Sequence, residues 1–186
     1  MKIIAFTGMP GCGKSEAVKL AKEKNIPVFR MGDLVWEETK KRGLPLTDEN
    51  VGNLATVERK KHGYDIWAKR TIERIKKEKI SSDIILIDGL RGDAEVNAFK
   101  KEFDSNFILI AIHSSPKARW ERISKRKRDD DTASEEQFKG RDERELSWGL
   151  GSSIAVADYI IVNDDKSIEE FRREVGKVLR KVTKSN

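Results

Sequence analysis

The residues whose types and spacing can do chemistry are concentrated first at Gly8-Met9-Pro10-Gly11-Cys12-Gly13-Lys14-Ser15, a full match to G-x-x-x-x-G-K-[ST]. Glycines at 8, 11 and 13 let the backbone turn tightly and aim its N–H groups inward as a nest for anions. A helix that opens at Lys14 adds the positive end of its dipole. Lys14 can then reach the β- and γ-phosphates of a nucleoside triphosphate, and the Ser15 hydroxyl can ligate Mg²⁺. A metal held this way wants a second carboxylate. Asp88, closing the apolar run Ile84–Asp88, is the candidate, because the carboxyl end of a central parallel strand points into the ligand crevice.

These residues need elements to position them. Lys2–Thr7, Ile84–Asp88, Phe107–His113 and Tyr159–Asn163 are short, β-branched and almost continuously apolar, the pattern of strands covered on both faces. Ile26–Arg30 is a weaker fifth. Helical stretches alternate with them, at Lys14–Lys24, Asp48–Lys61 and Asp65–Lys79. Ser115-Pro116 opens another, and Ser134–Gln137 and Ser167–Glu170 read as capping boxes. Alternation of this kind predicts an α/β fold: a P-loop NTPase with a five-stranded parallel sheet flanked by helices.

Composition sets the remaining bounds. The 186 residues suit one domain. Lys plus Arg (38) barely exceed Asp plus Glu (32), so most charge belongs to mixed surface, and the net +6 suits a ligand carrying several phosphates or, less directly, nucleic acid. Gln137 is the only glutamine beside many Lys and Glu, a bias that resembles proteins from hot environments. Cys12 is the only cysteine, and no apolar run approaches membrane-spanning length. The expectation is a cytoplasmic protein with no membrane partner. The one compositional break is the charged run Lys125–Asp131, a surface excursion.

Taken together, Gly8–Ser15, Gly32-Asp33, Asp88-Gly89-Leu90-Arg91 and the arginine-rich Arg119–Asp131 resemble the adenylate kinase and nucleoside monophosphate kinase superfamily. The whole chain also resembles a group of archaeal proteins described as adenylate-kinase-related or dephospho-CoA-kinase-like. That likeness rests on Met31-Gly32-Asp33 and on the stretch Arg141–Gly151 before Ala157-Asp158-Tyr159. The resemblance implies a helical acceptor-binding insertion at about 33–80 and a lid at about 122–146. It implies that Asp88 holds a Mg²⁺-bound water and that Arg91 clamps the acceptor's phosphate. Arg122 would lie on the nucleotide base and Arg126 on the transferred phosphate, with Arg141 or Arg144 returning from the lid. Two departures bear on the acceptor. Trp36 stands where adenylate kinases place an arginine for AMP, and the usual proline between Leu90 and Arg91 is missing. Asp33 can orient an acceptor hydroxyl or cap a helix beginning near Leu34, and Trp36 can stack on a base or join the core. Arg59 and Arg70 can close over the acceptor or lie on the surface. The expected activity is Mg²⁺-ATP-dependent phosphoryl transfer to a small nucleotide acceptor, a nucleoside monophosphate before dephospho-CoA. A slow ATPase acting as a switch, on RNA for instance, is the reading from another class.

Overall fold

In the computed structural model, which describes residues 1–78, 80–126 and 134–184, the apolar runs become one parallel sheet. Its strands are β1 (Lys2–Thr7), β2 (Val28–Arg30), β3 (Ile84–Asp88), β4 (Phe107–His113) and β5 (Tyr159–Val162). Their order is β2-β3-β1-β4-β5, with every pairing parallel. The helices are α1 (Lys14–Glu23), α2 (Met31–Lys41), α3 (Asp48–His62), α4 (Ile66–Lys77), α5 (Asp93–Phe103), α6 (Pro116–Arg126), α7 (Glu135–Ser147), α8 (Leu150–Ala155) and α9 (Ile168–Lys184).

Side chains alternate across the sheet and so divide the core in two. Ile3, Ala5, Ile85, Ile87 and Leu109 face the layer that holds Met31, Trp67, Ile72, Val96, Phe99 and Trp148. Ile4, Phe6, Leu86, Ile110 and Ile112 face α1 and α9, through Ala17, Ala21, Phe171, Val175 and Leu179. The chain runs from β1 toward one edge of the sheet to reach β2, then crosses from β3 past β1 to β4 and the other edge, so a crevice opens beyond the carboxyl end of β1. The P-loop sits there.

Helices α1, α3 and α4 shift from their expected ends by one or two residues, and three other boundaries differ for a local reason. The second strand starts at Val28, after Pro27, which has no N–H to give a ladder, although its carbonyl accepts from Leu86 N (2.8 Å). The fifth ends at Val162, since Asn163 turns inward toward the P-loop. The helix expected near Leu34 begins at Met31, with Arg30 in the cap position. Asp33 is thus a first-turn residue that makes no capping bond, which corrects the helix-cap alternative. The start signals elsewhere hold. Ser115 Oγ accepts from Ala118 N, Ser134 Oγ from Gln137 N, and Ser167 and Glu170 bond reciprocally.

Candidate functional site

The loop after β1 is anchored from below and open above. Gly8 has no room for a side chain, since a Cβ there would fall 2.2 Å from Ile112 O. Asn163 Nδ2 donates to Cys12 O (2.9 Å) and Arg119 Nη1 to Pro10 O (3.1 Å). Arg119 is itself buried and forks onto Asp142, with 2.8 Å from Nη1 to Oδ1, beside the Phe138 ring. Tying the loop's carbonyls down on one side is what lets its amides face the other. Lys14 Nζ folds back to donate to Gly8 O. Burial, more than any neighbouring charge, pushes the Lys14 ammonium below its ordinary value. A desolvated cation at the mouth of an amide nest fits a polyphosphate.

Asp88 lies at the end of β3, its side chain 3.7 Å from Arg30 Nε, and lines the same cleft as Ser15, which is exposed. Past Gly89, the Arg91 amide donates to Glu95 Oε2 (2.6 Å) and its guanidinium lies 3.0 Å from Glu145 Oε2. Burial alone would lower the Arg91 pKa, but Glu145, and after it Asp88, hold it above the ordinary value. Arg91 therefore stays charged within electrostatic reach of Lys14, where phosphoryl charge would gather.

The cleft continues away from the P-loop to a total of about 650 Å³, a volume that suits small-molecule ligands. Its far wall is built by α3 and α7. Arg141 stands three and four residues before Arg144 and Glu145, and Trp148, at the C-cap of α7, stands three and four residues after Glu145 and Arg144, so all four line the cleft from one side of the helix. Asp48, Val51, Gly52, Ala55 and Arg59 do the same on α3. The two rows interlock. Arg144 Nη2 donates to Asp48 (2.7 Å), Arg141 Nε lies 3.5 Å from the same carboxylate, and Trp148 Nε1 donates to Thr56 Oγ1 (3.2 Å). Arg59 is buried, paired with fully buried Glu95 at 2.8 Å, and lies 4.4 Å from the Trp148 ring. Trp36, partly exposed, lines the mouth with Arg30 5.6 Å from its ring.

Placed against expectation, Gly11, Cys12, Gly13, Lys14, Ser15, Asp88, Arg91, Arg122 and Arg141 all line this cleft. Arg122 does so with its fork committed to the protein, through Ser114 Oγ (2.8 Å) and Asn163 O. Asp33 does not line it. Half-exposed and 3.6 Å from Arg30, it lines a smaller hollow with Phe29, Thr71 and Arg74. Arg70 pairs with Glu58 (2.7 Å) and sits over Trp67 instead of reaching the cleft. The Arg126 side chain and the run Lys127–Asp131 lie outside the described residues. Asp48, Glu145 and Trp148 are cleft residues to which motif reading gives no role. For Glu145 and Trp148 the signal is their spacing from Arg141 and Arg144, visible only once charged and aromatic side chains are counted as one stripe; Asp48, on α3, has no such signal.

Comparison with known proteins now adds a lineage. A family described as an AAA domain matches residues 7–139. A UPF0200 protein of Methanosarcina acetivorans is 46% identical over 186 residues, covering 100% of this chain and 98% of that protein. The chain belongs to the UPF0200 family. A UPF0200/UPF0201 protein of Archaeoglobus fulgidus is 45% identical, but the chain spans only 57% of its length. Among solved structures, a gluconokinase from Sinorhizobium meliloti 1021 superposes with a TM-score of 0.62 at 16% identity, covering 98% of the chain and 94% of the gluconokinase. Shikimate kinase from Acinetobacter baumannii, in complex with shikimate, gives 0.60 at 11% identity, covering 100% and 96%. At such identities the likeness is one of fold. This UPF0200 chain therefore has a P-loop kinase-like fold, and the resemblance to nucleoside monophosphate kinases holds at that level. No helix among its described residues is long and apolar enough to cross a membrane.

Proposed function

We propose that this UPF0200 protein is a Mg²⁺-ATP-dependent phosphotransferase whose acceptor is a small nucleotide, a nucleoside monophosphate first. One observation carries the reading: a single cleft joins the phosphate loop to a wall of arginines and aromatic rings. In it Lys14 neutralises the β- and γ-phosphates, and the P-loop amides orient them. Ser15 and Asp88 are the oxygen donors that would hold magnesium, with phosphate and water completing its shell, and the ion would offset charge on the γ-phosphoryl group. Among the described residues no cluster of three or more His, Cys, Asp or Glu side chains could hold a metal without the nucleotide. Arg91 would steady the group in flight with a fixed fork, which suits spread charge better than an ammonium does. Trp36 offers an acceptor base a partly exposed ring. The segment 122–146 would close over both ligands, since a kinase open to water hydrolyses its donor.

That the gluconokinase and the shikimate kinase are named for small molecules fits a small acceptor here. Asp33 stands outside the cleft, so a hydroxyl acceptor of the dephospho-CoA type would lack a carboxylate from the end of β2 to orient it. The test is incubation with labelled ATP and Mg²⁺ beside AMP, CMP, GMP, UMP, dephospho-CoA or RNA. Label transferred to a monophosphate is the expected result. RNA-stimulated ADP release with no phosphorylated small molecule would replace the kinase with a switch.

A further inference from the structure

Arg144 is held in an arrangement that leaves it half used. Its guanidinium lies against the backbone of α3, so close that a Cβ at Gly52 would fall 2.8 Å from its Cζ. Nη2 meets Asp48, while Nε is buried with no hydrogen-bond partner among the described residues. A buried guanidinium N–H without an acceptor is costly and rare, which marks a place prepared for one. Arg91 Nη1 is in a similar state: its 3.0 Å approach to Glu145 lacks the alignment of a hydrogen bond. Asp48 is the group that spans Arg141 and Arg144, and its side chain is 32% exposed, near enough to water to leave. It can go without loss of the helix start, because Thr47 Oγ1 caps α3 by accepting from Asn50 N (3.2 Å).

We infer that Arg144 and Arg141 form an anion subsite for the acceptor's own phosphate, and that Asp48 occupies it as a built-in competitor which the phosphate displaces. A phosphate monoester brings three acceptor oxygens, where Asp48 meets Arg144 through Nη2 alone and leaves its Nε without an acceptor. Until it arrives, Asp48 neutralises two close arginines and holds α7 against α3. The inference rests on the kinase reading for its purpose but not for its test, which needs no turnover.

The P-loop is first filled with a non-hydrolysable ATP analogue and Mg²⁺, so that added anions report only the second site. Binding of inorganic phosphate, AMP and adenosine is then measured by calorimetry. Asp48→Asn keeps the shape and removes the competing charge; it should tighten phosphate and AMP about fivefold, the scale of a partly exposed ion pair, and leave adenosine unchanged. Glu49→Gln, one residue along and exposed, changes net charge equally and should do nothing. Gly52→Ala displaces Arg144 without altering charge and should weaken phosphate and AMP, which keeps the test decisive if Asp48→Asn folds poorly. The inference falls if Asp48→Asn, folded, binds phosphate no better than the parent, if Glu49→Gln matches it, or if Gly52→Ala binds like the parent. Should the subsite behave as expected while no acceptor is ever phosphorylated, the subsite stands and the kinase reading fails.

Discussion

The P-loop and the α3–α7 wall face each other across one cleft, yet they handle charge by opposite means. The P-loop is a backbone device. Gly8, Gly11 and Gly13 take the positive φ that its turn requires, and Arg119, Arg122 and Asn163 hold its carbonyls from beneath. The far wall is a side-chain device. Arg59, Arg91, Arg141 and Arg144 are each set against a carboxylate drawn from another element: Glu95, Glu145 and Asp48. A backbone nest cannot be neutralised internally and has to wait for its anion, whereas a guanidinium wall can be balanced by the protein until a ligand competes. The first should be hard to abolish except at its glycines and lysine, and the second should depend on each buried pair.

The largest effect expected on this comparison is at Lys14. Lys14→Ala should cut ATP-dependent turnover about a thousandfold or more, as losing a preorganised charge at a phosphoryl group does, while circular dichroism and melting stay near those of the parent. Parent-like turnover would remove the P-loop from the chemistry.

Next comes the far wall's most buried pair. Glu95→Gln leaves Arg59 without its counter-charge in a dry site and should cost about 3 kcal/mol in urea denaturation. Affinity for an ATP analogue should hold in whatever fraction is folded. If that affinity drops in parallel, the two walls are one cooperative unit and the contrast drawn between them fails.

The smallest effect is a pH dependence. With Lys14 held below its ordinary 10.5 by burial, the unfolded chain binds its proton more tightly than the folded one does. The charged ammonium thus costs the ligand-free fold stability at neutral pH. That cost is relieved as pH climbs from the lowered value toward the ordinary one, so the stability of the parent relative to Lys14→Met should rise across that alkaline window. Paired denaturation curves at neutral and alkaline pH read it directly, and a gap that does not move with pH would mean Lys14 is well solvated.

The contrast also explains what could be read in advance. A backbone site leaves its signature in contiguous residues, because a turn needs its glycines in order; Gly8–Ser15 and the strands of the sheet were legible for that reason, and apolar runs such as Phe107–His113 match observed strands end to end. Asp88 follows from where β3 stops, whereas Arg91 came only from the resemblance to nucleoside monophosphate kinases. Asp33 shows the limit of this logic, because its place after β2 is right in the chain while its side chain lines a different hollow. Arg122 shows another: it lies in the cleft, but its donors serve the P-loop's floor. By itself, then, the sequence determined the doubly wound sheet, the phosphate loop and the carboxylate beside it, since local spacing and hydrophobic period suffice for each. Only the tertiary structure decided which charges meet. Arg59 finds Glu95 at a separation of 36 residues, Arg144 finds Asp48 at 96, and no periodicity reaches across such distances. Partners so far apart are chosen by how α3 packs on α2 and α4 and how α7 packs on α8, and that packing turns a scatter of surface-looking arginines into the wall of a cleft.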